Sequence, residues 1–228
     1  MSRKKIVVLT GAGVSAESGL KTFRGSDGLW ENHRIEDVAT PDGWKLNPQL
    51  MLEFYNQRRR DVLKAKPNAG HFAIAQLEEK FDVVVVTQNI DDLHERAGST
   101  NIIHLHGQIL KSRSTLDAKL IYDCMNDISI GDKCERGSQL RPHIVWFNEA
   151  VPMIEIAAKE VAAADTFIIA GTSLQVYPAA GLINYSHPTV PKFLVDPTIP
   201  DVSFVRNITC IAKNGSEGLP ELVEQLLK

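Results

Sequence analysis

The run Ile102-Ile103-His104-Leu105-His106-Gly107 carries two imidazoles at the end of an apolar, strand-like segment. In extended backbone, residues i and i+2 share a face, so the two rings are expected to face the same way. An imidazole is the natural proton acceptor near neutral pH, which makes His106 a candidate general base. A histidine held only by structural hydrogen bonds fits the spacing as well. Upstream, Val83-Val84-Val85-Val86 leads into Thr87-Gln88-Asn89-Ile90-Asp91-Asp92. Amides and carboxylates at the C-terminal tip of a buried strand lie where open α/β sheets bind ligands. Asn89 or Asp91 could equally cap the next helix. A third group lies on a helical pattern from Pro48 to Lys66, where Met51, Tyr55, Arg58 and Val62 share one face and Arg59 and Arg60 point elsewhere. Arg58 either lays its aliphatic stem along a packed face or joins Tyr55 as a forked donor to a carboxylate.

These groups need a scaffold that brings them together. Ile6-Val7-Val8-Leu9 turns at Gly11-Ala12-Gly13 into a small-residue segment. The Gly-x-Gly-x-x-Ala spacing of Gly11, Gly13 and Ala16 suits a strand–turn–helix whose amides face a phosphate. In that reading Gly11 makes the turn, Gly13 admits a pyrophosphate and Ala16 allows close helix packing. Beyond it, Thr22-Phe23-Arg24-Gly25 and Asp27-Gly28-Leu29-Trp30 have the composition of an ordered flap over a ligand. Thr166–Ala170 delivers Gly171-Thr172-Ser173, a hydroxyl-rich strand end for an anion or a ribose, and Phe193-Leu194-Val195 ends at Asp196.

Apolar runs at Lys5–Leu9, Val83–Val86, Ile102–Leu105, Ile144–Trp146, Thr166–Ala170, Phe193–Val195 and Ile208–Ile211 alternate with helical patterns, among them Ala69–Glu79, Pro152–Ala163 and Gly218–Leu227. This predicts an α/β fold: a Rossmann-like parallel sheet with helices on both faces. Periodicity weakens between Gln108 and Pro142, as expected of a small inserted module. The core is assigned to 1–34, 68–107 and 143–228, and the module to 35–67 and 108–142. With 228 residues, 43% hydrophobic, a core needs no disulfide or metal. A net charge of −3 does not suggest a nucleic-acid partner, and no stretch suits a membrane span. Three cysteines, few and odd in number, favour a reducing, cytoplasmic setting.

Taken together, GAGVSAESG, TFRG, TQNID, LHG, LRPHIVWF and GTS occur in the order and spacing of sirtuins, and the likeness covers nearly the whole chain. The sequence resembles bacterial NAD-dependent protein lysine deacylases, in particular the desuccinylase and demalonylase subgroup with Tyr-x-x-Arg in the acyl pocket, matched by Tyr55 and Arg58. The resemblance implies that Gly11, Ala12, Gly13 and Ala16 lie against the NAD diphosphate and its ribose. Phe23, Arg24 and Trp30 would belong to the nicotinamide-side loop. Gln88, Asn89, Ile90 and Asp91 would frame the nicotinamide ribose, and Gly171, Thr172 and Ser173 would meet the adenosine half. His106 would be the general base, with Asn89 and Asp91 beside it in the chemistry. Val145 and Phe147 would border the acyl-lysine tunnel, with nearby backbone pairing with an extended substrate. The implied reaction removes succinyl, malonyl and acetyl groups from lysine, yielding nicotinamide, O-acyl-ADP-ribose and free lysine. The expected partners are acylated proteins or peptides, and the expected state is a monomer. A plain deacetylase, a mono-ADP-ribosyltransferase and a non-catalytic NAD-binding module are the alternatives.

Three departures stand out. Sirtuins commonly hold zinc with two CxxC pairs, whereas Ser114 and Asp117 stand at the first pair and only Cys134 remains near the second. A zinc-free module is therefore expected, with a mixed Asp117, Cys124, Cys134 site as the alternative. Asn148 replaces a usual glycine. Asp196 stands near the usual adenosine-ribose asparagine and is expected to take that contact.

Overall fold

The computed structural model describes residues 3–21, 29–30 and 33–228, with no side-chain description at 29 and 30. In chain order the elements begin with β1 (Lys5–Thr10), α1 (Ala12–Ala16), β2 (Leu29–Trp30), β3 (His33–Arg34), α2 (Ile35–Val38) and α3 (Pro41–Leu46). Next come α4 (Pro48–Lys64), α5 (Ala69–Gln76), β4 (Asp82–Thr87), α6 (Leu93–Ala97), β5 (Ile102–His104), β6 (Gly107–Ser114), β7 (Ile121–Asp123) and β8 (Leu140–Ile144). The chain closes with α7 (Ile154–Ala162), β9 (Thr166–Ala170), a 3-10 segment (Ala179–Tyr185), β10 (Lys192–Val195), β11 (Ile208–Ile211) and α8 (Gly215–Leu227).

Six strands form one parallel sheet in the order β11-β10-β9-β1-β4-β5. This is the doubly wound order in which the chain leaves the first strand in both directions, so the C-terminal strand ends open into a crevice. The strands read as continuous apolar runs because both faces are covered. Val7, Leu9, Val84, Val86, Phe167 and Ile169 pack with Ala157 and Val161 of α7 and Leu182. Ile6, Val8, Val83, Val85 and Ile168 pack with Ile74 of α5 and Leu219, Leu222 and Val223 of α8.

The stretch of weak periodicity is a second, antiparallel sheet, β7-β6-β8. Ser112 and Ser114 occupy buried positions of β6, and a register shift lies between Gly107 and Ser112. Polar residues facing inward and an irregular register erase the alternation that marks a strand. The strand read at Ile144–Trp146 is placed earlier, at Leu140–Ile144, with Pro142 inside it. α4 packs on this sheet through a cluster holding Val38, Met51, Phe54, Tyr55, Val62, Ile109, Ile144 and Trp146.

Arg59 does not turn away from the packed side of α4. It is fully buried, donating from Nε to the Ile109 carbonyl (3.0 Å) and from Nη1 to Asn56 Oδ1 (2.7 Å). α4 is covered on two sides, and buried acceptors make the guanidinium tolerable there. Where the family's metal-binding cysteines would stand, Ser114 Oγ lies 2.6 Å from Ser138 Oγ, itself 3.1 Å from Cys134 Sγ. Asp117 pairs with Arg136 (2.9 Å), and Cys124 Sγ donates to the Asn126 carbonyl (3.3 Å). Among the described residues no three His, Cys, Asp or Glu side chains converge as metal ligands. None of the described helices is long and apolar enough to cross a membrane.

Candidate active site

Five of the six strands of the parallel sheet deliver part of the cavity wall at their C-terminal ends. Following the sheet order, β10 brings Asp196, β9 brings Gly171–Ser173, β1 brings Gly11–Gly13, β4 brings Gln88–Asp91, and β5 is followed by His106. Four strand spacings separate the first from the last, roughly 19 Å. A cavity of about 1000 Å³ runs along this edge. Its walls include Gly11, Ala12, Gly13, Ala16, Gln88, Asn89, Ile90, Asp91, His106, Gly171, Thr172, Ser173 and Asp196, together with Tyr55, Arg58, Val145 and Phe147. Phe23 and Arg24 lie outside the described residues, as does the side chain of Trp30.

The glycine turn works differently from the first reading. Gly11 has extended backbone (φ −126°), so no left-handed turn requires it. A Cβ there would stand 2.7 Å from the Gly171 carbonyl oxygen, and one on Gly13 would stand 2.8 Å from Gly171 Cα. The amides of Gly11 and Gly13 donate to the carbonyls of Ala170 (3.0 Å) and Gly171 (2.9 Å). The glycines therefore let the Gly11–Gly13 and Gly171 loops touch backbone to backbone. Ala16 is exposed on the cavity wall, whereas Val14 and Ser15 are the buried residues of α1.

Ser15 is the residue the sequence reading missed. Its Oγ donates to Asp91 Oδ2 (3.0 Å) and accepts from Asn89 Nδ2 (3.0 Å). A hydroxyl in the short helix after the glycine turn, five positions past the end of β1, was the available signal. Asp91 Oδ1 accepts from the Leu93 amide (3.1 Å). Burial pushes the Asp91 carboxyl up, against the opposing pull of the Leu93 amide and Ser15.

The two histidines part company, because β5 ends at His104. His104 Nε2 lies 2.6 Å from Glu95 Oε1, whereas His106 Nδ1 lies 3.0 Å from the Gln88 carbonyl oxygen. A carbonyl only accepts, so Nδ1 of His106 carries the proton and Nε2 keeps its lone pair. Burial lowers the pKa of His106 below 6.5, although the Gln88 carbonyl pulls it up. The ring is thus neutral and basic at pH 7. Gly107 follows with φ +84°, and a Cβ there would meet the His143 carbonyl oxygen at 2.1 Å, so only glycine admits β8 this close to His106.

At the α4 wall, Tyr55 is fully buried, with its ring centroid 6.4 Å from Trp146 and 5.2 Å from Phe54. Burial raises its pKa despite the opposing Trp146 indole and the Arg141 and Arg58 charges, so the phenol keeps its proton. Arg58 is half-buried, its guanidinium carbon 4.8 Å from the Phe54 centroid. The Val145 and Phe147 amides donate to the carbonyls of His106 and Ala39 (both 2.9 Å), so these two amides serve the fold. Asn148 has φ +68°, the conformation a glycine would adopt, and asparagine is among the side chains that tolerate it.

The Sir2 family model matches residues 11–178, from the glycine turn through the Gly171 loop. The chain belongs to the Sir2 family. It is 49% identical over 225 residues to an NAD-dependent protein deacylase of Helicobacter pylori, covering 99% of this chain and 98% of that protein. To an NAD-dependent protein deacylase of Bacteroides thetaiotaomicron it is 49% identical over 230 residues, covering 98% of each. A crystal structure of a Sir2 homolog–NAD complex superposes with a TM-score of 0.89 at 39% identity, over 99% of this chain and 90% of the other. A Sir2 homologue bound to ADP-ribose reaches 0.90 at 38% identity over 99% of this chain and 92% of that one. The parallel sheet with its covering helices thus matches the Sir2 fold, and α4 sets Tyr55 and Arg58 on the cavity wall.

Proposed function

We propose that this chain is an NAD-dependent protein lysine deacylase with a preference for acyl groups ending in a carboxylate, succinyl and malonyl above acetyl. The observation that carries the reading is one cavity lined by a neutral imidazole, the paired glycine loops and a Tyr–Arg wall. The residues fit the dinucleotide: the loops carrying Gly11–Gly13 and Gly171–Ser173 line a crevice across five strand ends, and its length suits an extended ligand. NAD, when bound, supplies a ribose carbon that becomes electrophilic as nicotinamide leaves. Asn89 and Asp91 hold the sugar, and the apolar Ile90 helps exclude water. His106 takes a proton from a ribose hydroxyl at Nε2, the nitrogen not engaged by Gln88. Arg58 pairs with the distal carboxylate of the acyl chain, and the protonated Tyr55 donates a second hydrogen bond.

The test is a panel of acyl-lysine peptides assayed for NAD-dependent nicotinamide release. Hydrogen bonds to a charged group contribute about 1.5–3 kcal/mol, so Arg58→Met should lower kcat/KM for succinyl-lysine by roughly 10- to 150-fold and barely change acetyl-lysine. Equal losses on both substrates would leave Arg58 without a role in selectivity and favour a plain deacetylase.

A further inference from the structure

We propose that Asp61 is a specificity-determining residue of the acyl pocket. Its carboxylate opposes the distal carboxylate of a succinyl or malonyl group and so limits the preference for these groups over acetyl. The substrate class rests on the functional reading above. Asp61 lies on α4 one turn beyond Arg58, and the two residues line the same cavity as Tyr55, Gln57 and Val62. Residues three apart on a helix hold their Cβ atoms about 5–6 Å apart. An acyl carboxylate drawn to the Arg58 guanidinium therefore comes within a Debye length of a second carboxylate. Arg58 and Asp61 are both half-buried, so water screens the repulsion only in part.

A neutral group holds this carboxylate in place. Asp61 Oδ1 accepts from Gln57 Nε2 (2.8 Å), one turn back on α4. Gln57 is fixed in that orientation, because its Oε1 accepts from Arg60 Nη2 (2.8 Å). Arg60 in turn donates from Nη1 to Asp127, in the connection between β7 and β8. The antiparallel module thus steadies Asp61 through an arginine and an amide. An amide donor orients a carboxylate without cancelling its charge. Glu149 lines the cavity as well, but Arg141 and Arg113 meet its carboxylate. Helix stability does not account for an acid at position 61. Asp61 stands in the last turn of α4, which ends at Lys64, where the helix dipole favours cations and disfavours acids. The residue therefore costs the helix stability while it gives the cavity a negative charge beside Arg58.

Two variants separate charge from shape. Asp61→Asn keeps the acceptor for Gln57 and removes the charge, whereas Asp61→Glu keeps the charge. The full-length wild type and both variants are titrated at low salt with fluorescent peptides of one sequence, carrying acetyl-, malonyl- or succinyl-lysine, and binding is read by anisotropy. The same peptides, unlabelled, are assayed for NAD-dependent nicotinamide release. In the asparagine protein the succinyl-to-acetyl and malonyl-to-acetyl affinity ratios should rise about threefold to tenfold, as expected for like charges this close at a half-buried site. In the glutamate protein both ratios should stay within about twofold of wild type. Unchanged ratios in the asparagine protein overturn the proposal, as does an equal rise in the glutamate protein. A wild type that binds acetyl-lysine more tightly than succinyl-lysine, with the ratio still rising in the asparagine protein, would end the carboxylate preference and leave the role of Asp61 standing. A wild type that prefers succinyl-lysine, with the ratio unmoved by the substitution, would do the reverse. If no peptide releases nicotinamide, the deacylase reading fails, and the binding ratios still decide the role of Asp61.

Discussion

Glu149 ties the substrate-side loop together, and neutralising it should loosen that loop in a measurable way. Its carboxylate accepts from Arg141 Nη1 (2.7 Å) and Nη2 (3.1 Å), from Arg113 Nη2 (3.3 Å), and from the Trp146 amide (2.8 Å). Arg141 also donates to the Ile144 carbonyl (2.9 Å) and stacks on the Trp146 ring. Glu149→Gln removes the charge and leaves two guanidiniums facing each other. Breaking a buried pair costs about 3–5 kcal/mol; with the Glu149 side chain 21% exposed, about 2–3 kcal/mol is expected here. For a chain of this size that is a fall in Tm of roughly 5–10 °C. The pH dependence has a definite sign. Burial alone would raise the Glu149 carboxyl, but Arg141, the Trp146 amide and Arg113 hold it below 4.5. A depressed folded-state pKa means the stabilisation is fully present above the unfolded value and is lost as pH falls through the folded one. Urea melts should therefore show the largest gap between wild type and Glu149→Gln near pH 7, narrowing as pH drops below about 4.5. The same variant should raise KM for acyl peptides, because Val145, Trp146 and Phe147 sit on this loop. A Tm change under about 1 °C, or a gap that persists unchanged in acid, would refute the reasoning.

His106→Ala should cost about 10²–10⁴-fold in deacylation while NAD affinity, measured by calorimetry, stays close to wild type. Because burial depresses the His106 pKa, the acid limb of kcat/KM should have its midpoint below 6.5 and activity should be flat from there through neutrality; a midpoint above 6.5 would contradict that. Elemental analysis should find zinc well below one atom per chain, and a chelator should leave Tm unchanged, since hydrogen bonds among Ser114, Ser138 and Cys134 occupy the place of metal ligands. Stoichiometric zinc would overturn that expectation.

Much of the parallel sheet was legible because burial on both faces leaves an unmistakable trace. Val83–Val86 and Phe167–Ala170 are apolar throughout, and both fall within central strands. The antiparallel sheet was not legible, since Ser112, Ser114 and Pro142 interrupt its pattern. Local spacing placed Tyr55 and Arg58 on one helix face but misjudged Arg59, whose burial depends on Ile109, fifty residues away.

Residue types determined which chemistry this chain could carry: an imidazole before a glycine, amide and acid at a strand tip, and a Tyr–Arg pair one helical turn apart. They also determined the strands, because apolar runs have few ways to leave water. The tertiary structure alone decided which nitrogen of His106 keeps its lone pair, since that follows from a carbonyl eighteen residues away. It alone decided that Gly11 and Gly13 serve loop contact, because steric room depends on what arrives from β9. Proton positions and clearances are properties of neighbours, and neighbours distant in the chain meet only when it folds.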